Sequence, residues 1–329
     1  MGSKLKVIKQ SGAYLVRGVT LLIAISILSF VLMSLSPIDP MRAYVQANPG
    51  ASAENIAKME EFWGLNDPMP TRFVKWGSAL LRGDFGTSKL YRRPVLEIIG
   101  TRFAATLALM LTAWTMSGVL GFSIGCAMGL TQGSFIDRVL KRLCLIMCSI
   151  PTFWIGLVFL MLFSVWLGWF PFGMAVPAGV AAGDVTIWQR LHHLVLPAAT
   201  LSFLSFANVA LHTREKLTEV MSSEYVLFAR ARGKSRFQIL RQHGFRNILM
   251  PAVTMQFSSF SELFGGSVLA ENIFGYPGLG AAASAAGLQS DIPLLLGITL
   301  FSALFVFAGN AIANGLYVVI DPRVREGVA

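Results

Sequence analysis

The sequence predicts an all-α integral membrane protein: six transmembrane helices, both termini cytoplasmic, and a small helical extracytoplasmic segment between helices one and two. Three observations carry that prediction. First, 54% of the 329 residues are hydrophobic and only 13% charged, against about 25% charged in soluble domains; mean hydropathy is +0.63. Second, residues 18–38, 103–136, 143–183 and 292–320 carry no charge, 191–213 lack Lys, Arg, Asp and Glu, and 247–270 are broken only by Glu262. Third, lysine and arginine concentrate in alternate segments between these stretches, as the positive-inside rule requires.

A helix needs about 20 apolar residues to cross the hydrocarbon layer, and only helices satisfy their backbone groups there without closing a barrel. The crossings fall near residues 18–37, 104–130, 144–169, 194–212, 249–270 and 293–319. The first follows Lys4, Lys6, Lys9 and Arg17 with no Ala-x-Ala site after it, which reads as a retained helix rather than a cleaved signal. With the N-terminus inside, the inner segments hold those four cations, then Arg138, Lys141 and Arg142, then eight between Arg214 and Arg246, then Arg323 and Arg325. The net charge of +10 therefore marks topology, and nucleic acid is excluded as its cause.

Between the first two crossings, Ser52 is placed to cap a helix with Ile56, Met59 and Trp63 on one face, ended by Gly64. Phe73, Val74, Trp76, Leu80 and Leu81 suit a second short helix ended by Gly83. In the second crossing Gly121, Gly125 and Gly129 recur every four residues, with Ser117 extending the row. Such rows let helices approach closely in lipid, here either within the chain or against a partner. Pro151 and Pro197 fall near the starts of crossings three and four, where a missing N–H is cheapest.

Several motifs do not extend to chemistry. Gly233-Lys234-Ser235 resembles the end of a phosphate loop, but Phe228 stands where that loop needs its first glycine. Asp84-Phe85-Gly86 has no kinase loops beside it. His192, His193, His212 and His243 lack helical pairing with a carboxylate or cysteine, and Cys144 and Cys148 share a helix face as thiols, so no metal site and no catalytic residue is assigned.

The informative segment is the long inner loop. Its core, Glu224-Tyr225-Val226-Leu227-Phe228-Ala229-Arg230-Ala231-Arg232-Gly233, reads as a short helix closed by a glycine suited to a left-handed cap. Phe237, Ile239, Leu240, Arg241 and Arg246 follow, and Pro251 opens crossing five. Ordering so large a loop is unfavourable unless it docks on something; a positive anchor on anionic lipid is the simpler alternative.

Ala229-Arg-Ala-Arg-Gly233 followed by Arg246-Asn-Ile-Leu-Met-Pro251 resembles the cytoplasmic coupling loop of binding-protein-dependent ABC importer permeases, in particular the type I dipeptide/oligopeptide/nickel family. Gly83-Asp-Phe-Gly-Thr-Ser88, Arg93-Pro-Val95, Pro151-Thr-Phe-Trp154, Leu196-Pro197, Glu271-Asn-Ile-Phe-Gly-Tyr-Pro-Gly-Leu-Gly280 and Asp321-Pro-Arg323 resemble that family in the same order. The Glu-Ala-Ala triplet of the wider superfamily reads Leu227-Phe228-Ala229 here, which is usual for the peptide/nickel branch.

The resemblance implies one half of an importer. Residues 1–102 would hold the first helix and the extracytoplasmic segment, 103–320 the transmembrane domain with its coupling loop at 213–248, and 321–329 a cytoplasmic tail. The partners implied are a homologous second permease, two cytoplasmic ATPase subunits carrying ATP and Mg, an extracytoplasmic binding protein and membrane lipid; this chain binds no cofactor itself. Residues 224–233 would be the coupling helix, with Ala229 and Ala231 allowing close approach and Arg230 and Arg232 meeting acidic groups. A bacterial inner-membrane location follows. The substrate is a peptide or nickel, free or chelated; the short outer loop at roughly 170–193 and the segment from Pro151 to Trp169 look more like nickel-branch permeases. An ATPase-independent channel or receptor is the rival class, and Glu262 the residue open to either a structural pairing or the translocation path.

Overall fold

The computed structural model describes residues 2–35, 52, 54, 67–180 and 183–320, and among them every regular element is a helix. In chain order these are α1 (Gly2–Ser34), α2 (Met69–Leu81), α3 (Val95–Leu130), α4 (Phe135–Ser149), α5 (Thr152–Phe159, continued by a π-helix Leu160–Trp166) and α6 (Ile187–Met221). Then come α7 (Glu224–Ala231), α8 (Arg236–Ile239, continued by a π-helix Leu240–Gly244), α9 (Phe245–Ser258), α10 (Phe260–Ile273), α11 (Leu279–Leu288) and α12 (Ile292–Ile320). The first helix expected in the outer segment, with Ile56, Met59 and Trp63, lies outside the described residues.

α3 and the stretch Ile292–Ala313 of α12 are each long and apolar enough to cross a membrane. Other expected crossings fall on more than one helix. The third coincides with parts of α4 and α5, which are set at 108° to each other at Ile150-Pro151. Pro151 has no N–H and extends the chain at ψ 134°, so α4 cannot run on. The expected fifth falls on α9 and α10, 14 residues each, abutting at Ser259. At about 1.5 Å per residue neither crosses 30 Å alone.

The chain divides into two compact units, one from residues up to Ala104 with Ala281–Ala308, the other from Ala105–Gly280 with Gly309 onward. In the first, Phe30 of α1 meets Phe73 and Trp76 of α2 with ring centroids 5.3 and 5.9 Å apart. The predicted end of α2 is observed: Arg82 closes it and Gly83 turns at φ 82°. The Asp-Phe-Gly tripeptide is a turn, Asp84 Oδ1 accepting from Gly86 N–H at 2.9 Å. Asp291, fully buried, caps α12 by accepting from Leu294 N–H at 3.3 Å and fastens the loop before α3 through Ser88 Oγ at 2.5 Å and Leu90 N–H at 2.9 Å.

In the second unit α3 and α6 lie along each other in the same direction. A methyl placed on Gly121 would come within 2.7 Å of the Phe206 carbonyl, on Gly125 within 2.6 Å of the Ala210 carbonyl, and on Gly129 within 2.6 Å of Leu217. The glycine row therefore packs inside the chain. α5 packs on the N-terminal half of α6, where Leu160, Leu196 and Phe274 form a buried cluster.

The long motif at 271–280 is structural in origin. Glu271 is fully buried and accepts from Thr106 Oγ1 at 2.7 Å, while Thr106 Oγ1 accepts from Leu279 N–H at 2.8 Å. Gly278 lies so close to the Glu271 carboxylate that any side chain there would strike it, and Gly275 turns at φ 56°. A buried carboxylate without such partners would be strongly unfavourable.

Candidate functional site

The loop that holds the expected coupling helix starts where α6 stops. Ser222 N–H donates to Thr218 O and Glu219 O, and Ser223 takes an extended conformation (φ −73°, ψ 153°) before α7. At the other end Gly233 sits at φ 78°, with its N–H on Arg230 O at 2.9 Å and Lys234 N–H on Ala229 O at 3.2 Å. This is the left-handed cap expected from the sequence, and only glycine takes that conformation without penalty.

α7 is two-sided. Val226 and Ala229 are buried in a cluster with Leu217, Met221, Ile239, Leu240 and Ile248, against which Phe122, Cys126 and Leu130 of α3 also pack. The opposite side presents Tyr225 (47% exposed), Leu227 (56%) and Phe228 (67%). The Arg232 guanidinium lies 5.9 Å from the Phe228 ring centroid, a cation–π distance, and Arg230 Nη2 donates to Met221 O at 3.3 Å. Glu224, Tyr225, Phe228, Ala229, Arg232 and Lys234 line a shallow concavity of about 570 Å³. The arrangement offers an apolar aromatic surface with cations along one side and the Glu224 carboxyl at its start. It holds no catalytic set.

Ala229 lines the concavity and also packs inward. Its methyl is 5% exposed and turned into the chain's own cluster, so the close approach it permits is chiefly to α6 and α8. Ala231 is exposed. Glu262 is exposed on the first turn of α10, beside Ser261, whose hydroxyl donates to Asn310 Oδ1 at 2.5 Å.

One pair was missed by sequence reasoning. Arg214 of α6 donates from Nε to Asp137 Oδ1 at 2.6 Å and from Nη2 to Oδ2 at 2.8 Å. Asp137 Oδ2 also accepts from Gly133 N–H at 2.9 Å. The Arg214 hydrogen bonds hold the Asp137 carboxyl below its usual value, outweighing burial, and the same pair pushes the Arg214 guanidinium up. A signal existed: Ser134-Phe-Ile-Asp137 is a capping sequence, and Ser134 Oγ does accept from Asp137 N–H at 3.2 Å.

The remaining candidates are structural. The His192 ring Nε2 is 2.8 Å from Trp169 O and His193 Nδ1 is 2.9 Å from Gly173 O, so both rings fasten the outer loop. Among the described residues no three of His, Cys, Asp and Glu gather as a metal site. Cys126, Cys144 and Cys148 are free thiols.

Residues 118–326 match the family described as binding-protein-dependent transport system inner membrane component. The chain is 36% identical over 318 residues to the oligopeptide transport system permease protein AppB of Bacillus subtilis (strain 168), covering 95% of this chain and 99% of that one. It is 35% identical over 305 residues to the glutathione transport system permease protein GsiC of Salmonella choleraesuis, covering 92% and 94%. In fold it resembles a chain of the MetNI methionine ABC transporter solved in inward-facing conformations, with a TM-score of 0.54 over 69% of this chain and 97% of that one at 15% identity.

Proposed function

The chain belongs to the family of binding-protein-dependent transport system inner membrane components, a membrane permease, and from that premise we propose that it forms half of the translocation pathway of a peptide ABC importer. It would cross the bacterial inner membrane six times and pair with a homologous permease above two ATPase subunits. Substrate would arrive from an extracytoplasmic binding protein. The sequence resemblance leaned toward nickel; the relatives named for oligopeptide and glutathione transport favour peptides, and peptides are the class we adopt.

The observation that carries the coupling role is the two-sidedness of α7. Its inner face is rooted in α3, α6 and α8 through Val226 and Ala229, while Tyr225, Leu227 and Phe228 face outward. A helix fixed on one side and apolar on the other transmits a push from a bound subunit to the helices behind it. ATP and Mg would act on the ATPases, not on this chain. Closure of those subunits would displace α7 as a rigid body with α6 and α3, switching access across the membrane. Glu262, exposed in the single chain, would face the path or the second permease.

Expressing the chain with its neighbouring transport genes tests this. ATPase subunits should co-purify, and Leu227→Asp with Phe228→Asp should abolish their association while leaving membrane insertion intact. Purification without any ATPase, together with unchanged uptake in the double variant, would remove the coupling assignment.

A further inference from the structure

α4 has two outward stripes that the transport reading does not use. Asp137, Leu140, Cys144 and Met147 face α6 and its surroundings, Asp137 through Arg214 and the others in a cluster with Met128, Phe206, Ala207 and Ala210. On the far side Phe135, Val139, Leu143 and Ile146 recur at helical spacing; Phe135 is 74% exposed, Ile146 56% and Leu143 48%. Beside that apolar stripe run Arg138, Lys141 and Arg142, all exposed. The acid of this helix, Asp137, is already matched by Arg214, so the outward face has cations and no carboxylate.

The geometry of the neighbouring helix fixes where this face lies. α5 is set at 108° to α4, so if α5 crosses the membrane, α4 runs nearly in its plane. Its eight residues of α-helix and seven of π-helix rise at most about 22 Å, short of a hydrocarbon layer of about 30 Å. Trp166 (73% exposed) and Trp169 (61%) mark the outer end of α5 as interfacial aromatics do. The inner end at Thr152 therefore stops about 8 Å inside the inner boundary of the hydrocarbon, within the roughly 5–10 Å to which in-plane amphipathic helices bury their apolar face, and the C-terminal end of α4 meets it there. A fully spanning path for α4 would place three cations in hydrocarbon, which is strongly unfavourable.

We propose that α4 is an in-plane helix of the inner leaflet, with Phe135, Val139, Leu143 and Ile146 in the acyl boundary and Arg138, Lys141 and Arg142 on the phosphates of anionic lipids. Amphipathic helices with a basic polar face bind membrane surfaces in this manner, and each cation near an anionic leaflet adds attraction. The Asp137–Arg214 pair makes α4 part of the α6 body, so lipid holds the element that leads into the coupling loop. The proposal rests on the membrane location and the cytoplasmic side of this segment; it does not need the coupling role of α7.

The test is depth measurement by spin label. Cys126 and Cys144 are replaced by alanine and Cys148 by serine, and single cysteines are placed by Phe135→Cys, Val139→Cys, Leu143→Cys, Ile146→Cys, Lys141→Cys and Arg142→Cys. The protein, purified with whatever subunits accompany it, is reconstituted in phosphatidylcholine vesicles with and without phosphatidylglycerol. Labels at 135, 139, 143 and 146 should relax strongly with oxygen and weakly with a water-soluble nickel chelate, and those at 141 and 142 the reverse. The label at 135 should move outward when phosphatidylglycerol is omitted. Weak relaxation by both reagents along the apolar stripe would mean that a second polypeptide covers it, and strong relaxation by the chelate would mean open cytosol; either overturns the proposal. With native cysteines kept, Arg138→Gln, Lys141→Gln and Arg142→Gln together should lower severalfold the phosphatidylglycerol retained per purified chain by mass spectrometry. Unchanged retention would contradict the lipid assignment.

Discussion

Asp137 and Arg214 are joined by two parallel hydrogen bonds, 2.6 and 2.8 Å long, across 77 residues of sequence. The pair fixes the start of α4 to α6 one turn before Leu217 enters the cluster beneath the coupling helix. Asp137's side chain is 3% exposed and Arg214's 19%, so the bonds are largely shielded from water and salt.

Removing one partner leaves the other charge buried. Asp137→Asn or Arg214→Ala should destabilise the purified chain by about 3 kcal/mol, the lower end for buried pairs, measured by thermal unfolding in detergent at neutral pH. Because the folded carboxyl titrates below its usual value of 3.8, its contribution is complete above that value and is lost as pH falls through the lower, folded one. The gap between wild type and Asp137→Asn should therefore hold from neutrality down to about pH 4 and narrow only below it. A gap that closes near pH 6 would show that another group is responsible.

Gly233 at φ 78° should tolerate alanine at a cost of about 1–2 kcal/mol and reject proline, whose φ is locked near −65°. Gly233→Pro should insert in the membrane normally yet lose substrate-stimulated ATP hydrolysis in the assembled transporter. Normal stimulation in that variant would detach the cap from coupling.

Gly125 faces the Ala210 carbonyl and Thr213 with no space for a methyl. Gly125→Leu should separate α3 from α6, destabilising by at least the roughly 1–3 kcal/mol of an overpacked core and reducing the yield of monodisperse protein. Gly133, with nothing near its Cβ position but a φ of 79°, should lose much less on change to asparagine, which tolerates that backbone. Equal losses at the two sites would argue against the packing account.

Glu262 separates two readings. If it lines the path, Glu262→Gln lowers uptake while assembly and ATP hydrolysis persist. If it pairs across the second permease, the same variant fails to assemble, as size-exclusion chromatography of the complex would report.

The sequence made the helical class, the glycine row and the cap at Gly233 legible because each depends on local rules: charge-free length, four-residue spacing, a single left-handed residue. It did not reveal that the stretches read as crossings three and five each fall on two helices. Ile150-Pro151 and Ser259 lie inside stretches apolar enough to read as continuous, and where such a stretch turns is decided by packing against α6. Ala229 read as a docking residue because small residues suit any close approach; the fold adds that it also packs on its own core. Asp137 carried a capping signal, but its partner lies far along the chain, beyond anything periodicity detects. Glu271 sat within a recognised motif whose physical reason, a buried carboxylate against Thr106 and Gly278, needed coordinates.

The central claim, that the outward face of α7 meets an ATPase, is tested most directly by cross-linking in membranes. Leu227→Cys, in a chain with Cys126 and Cys144 changed to alanine and Cys148 to serine, is treated with a short bifunctional thiol–amine reagent while the full transporter is present. The account predicts a product joining this chain to an ATPase subunit, its yield altered by ATP, and no such product from a cysteine in place of Val226, which is buried beneath. A cross-link only to lipid or to the second permease from position 227, with uptake intact, would contradict it.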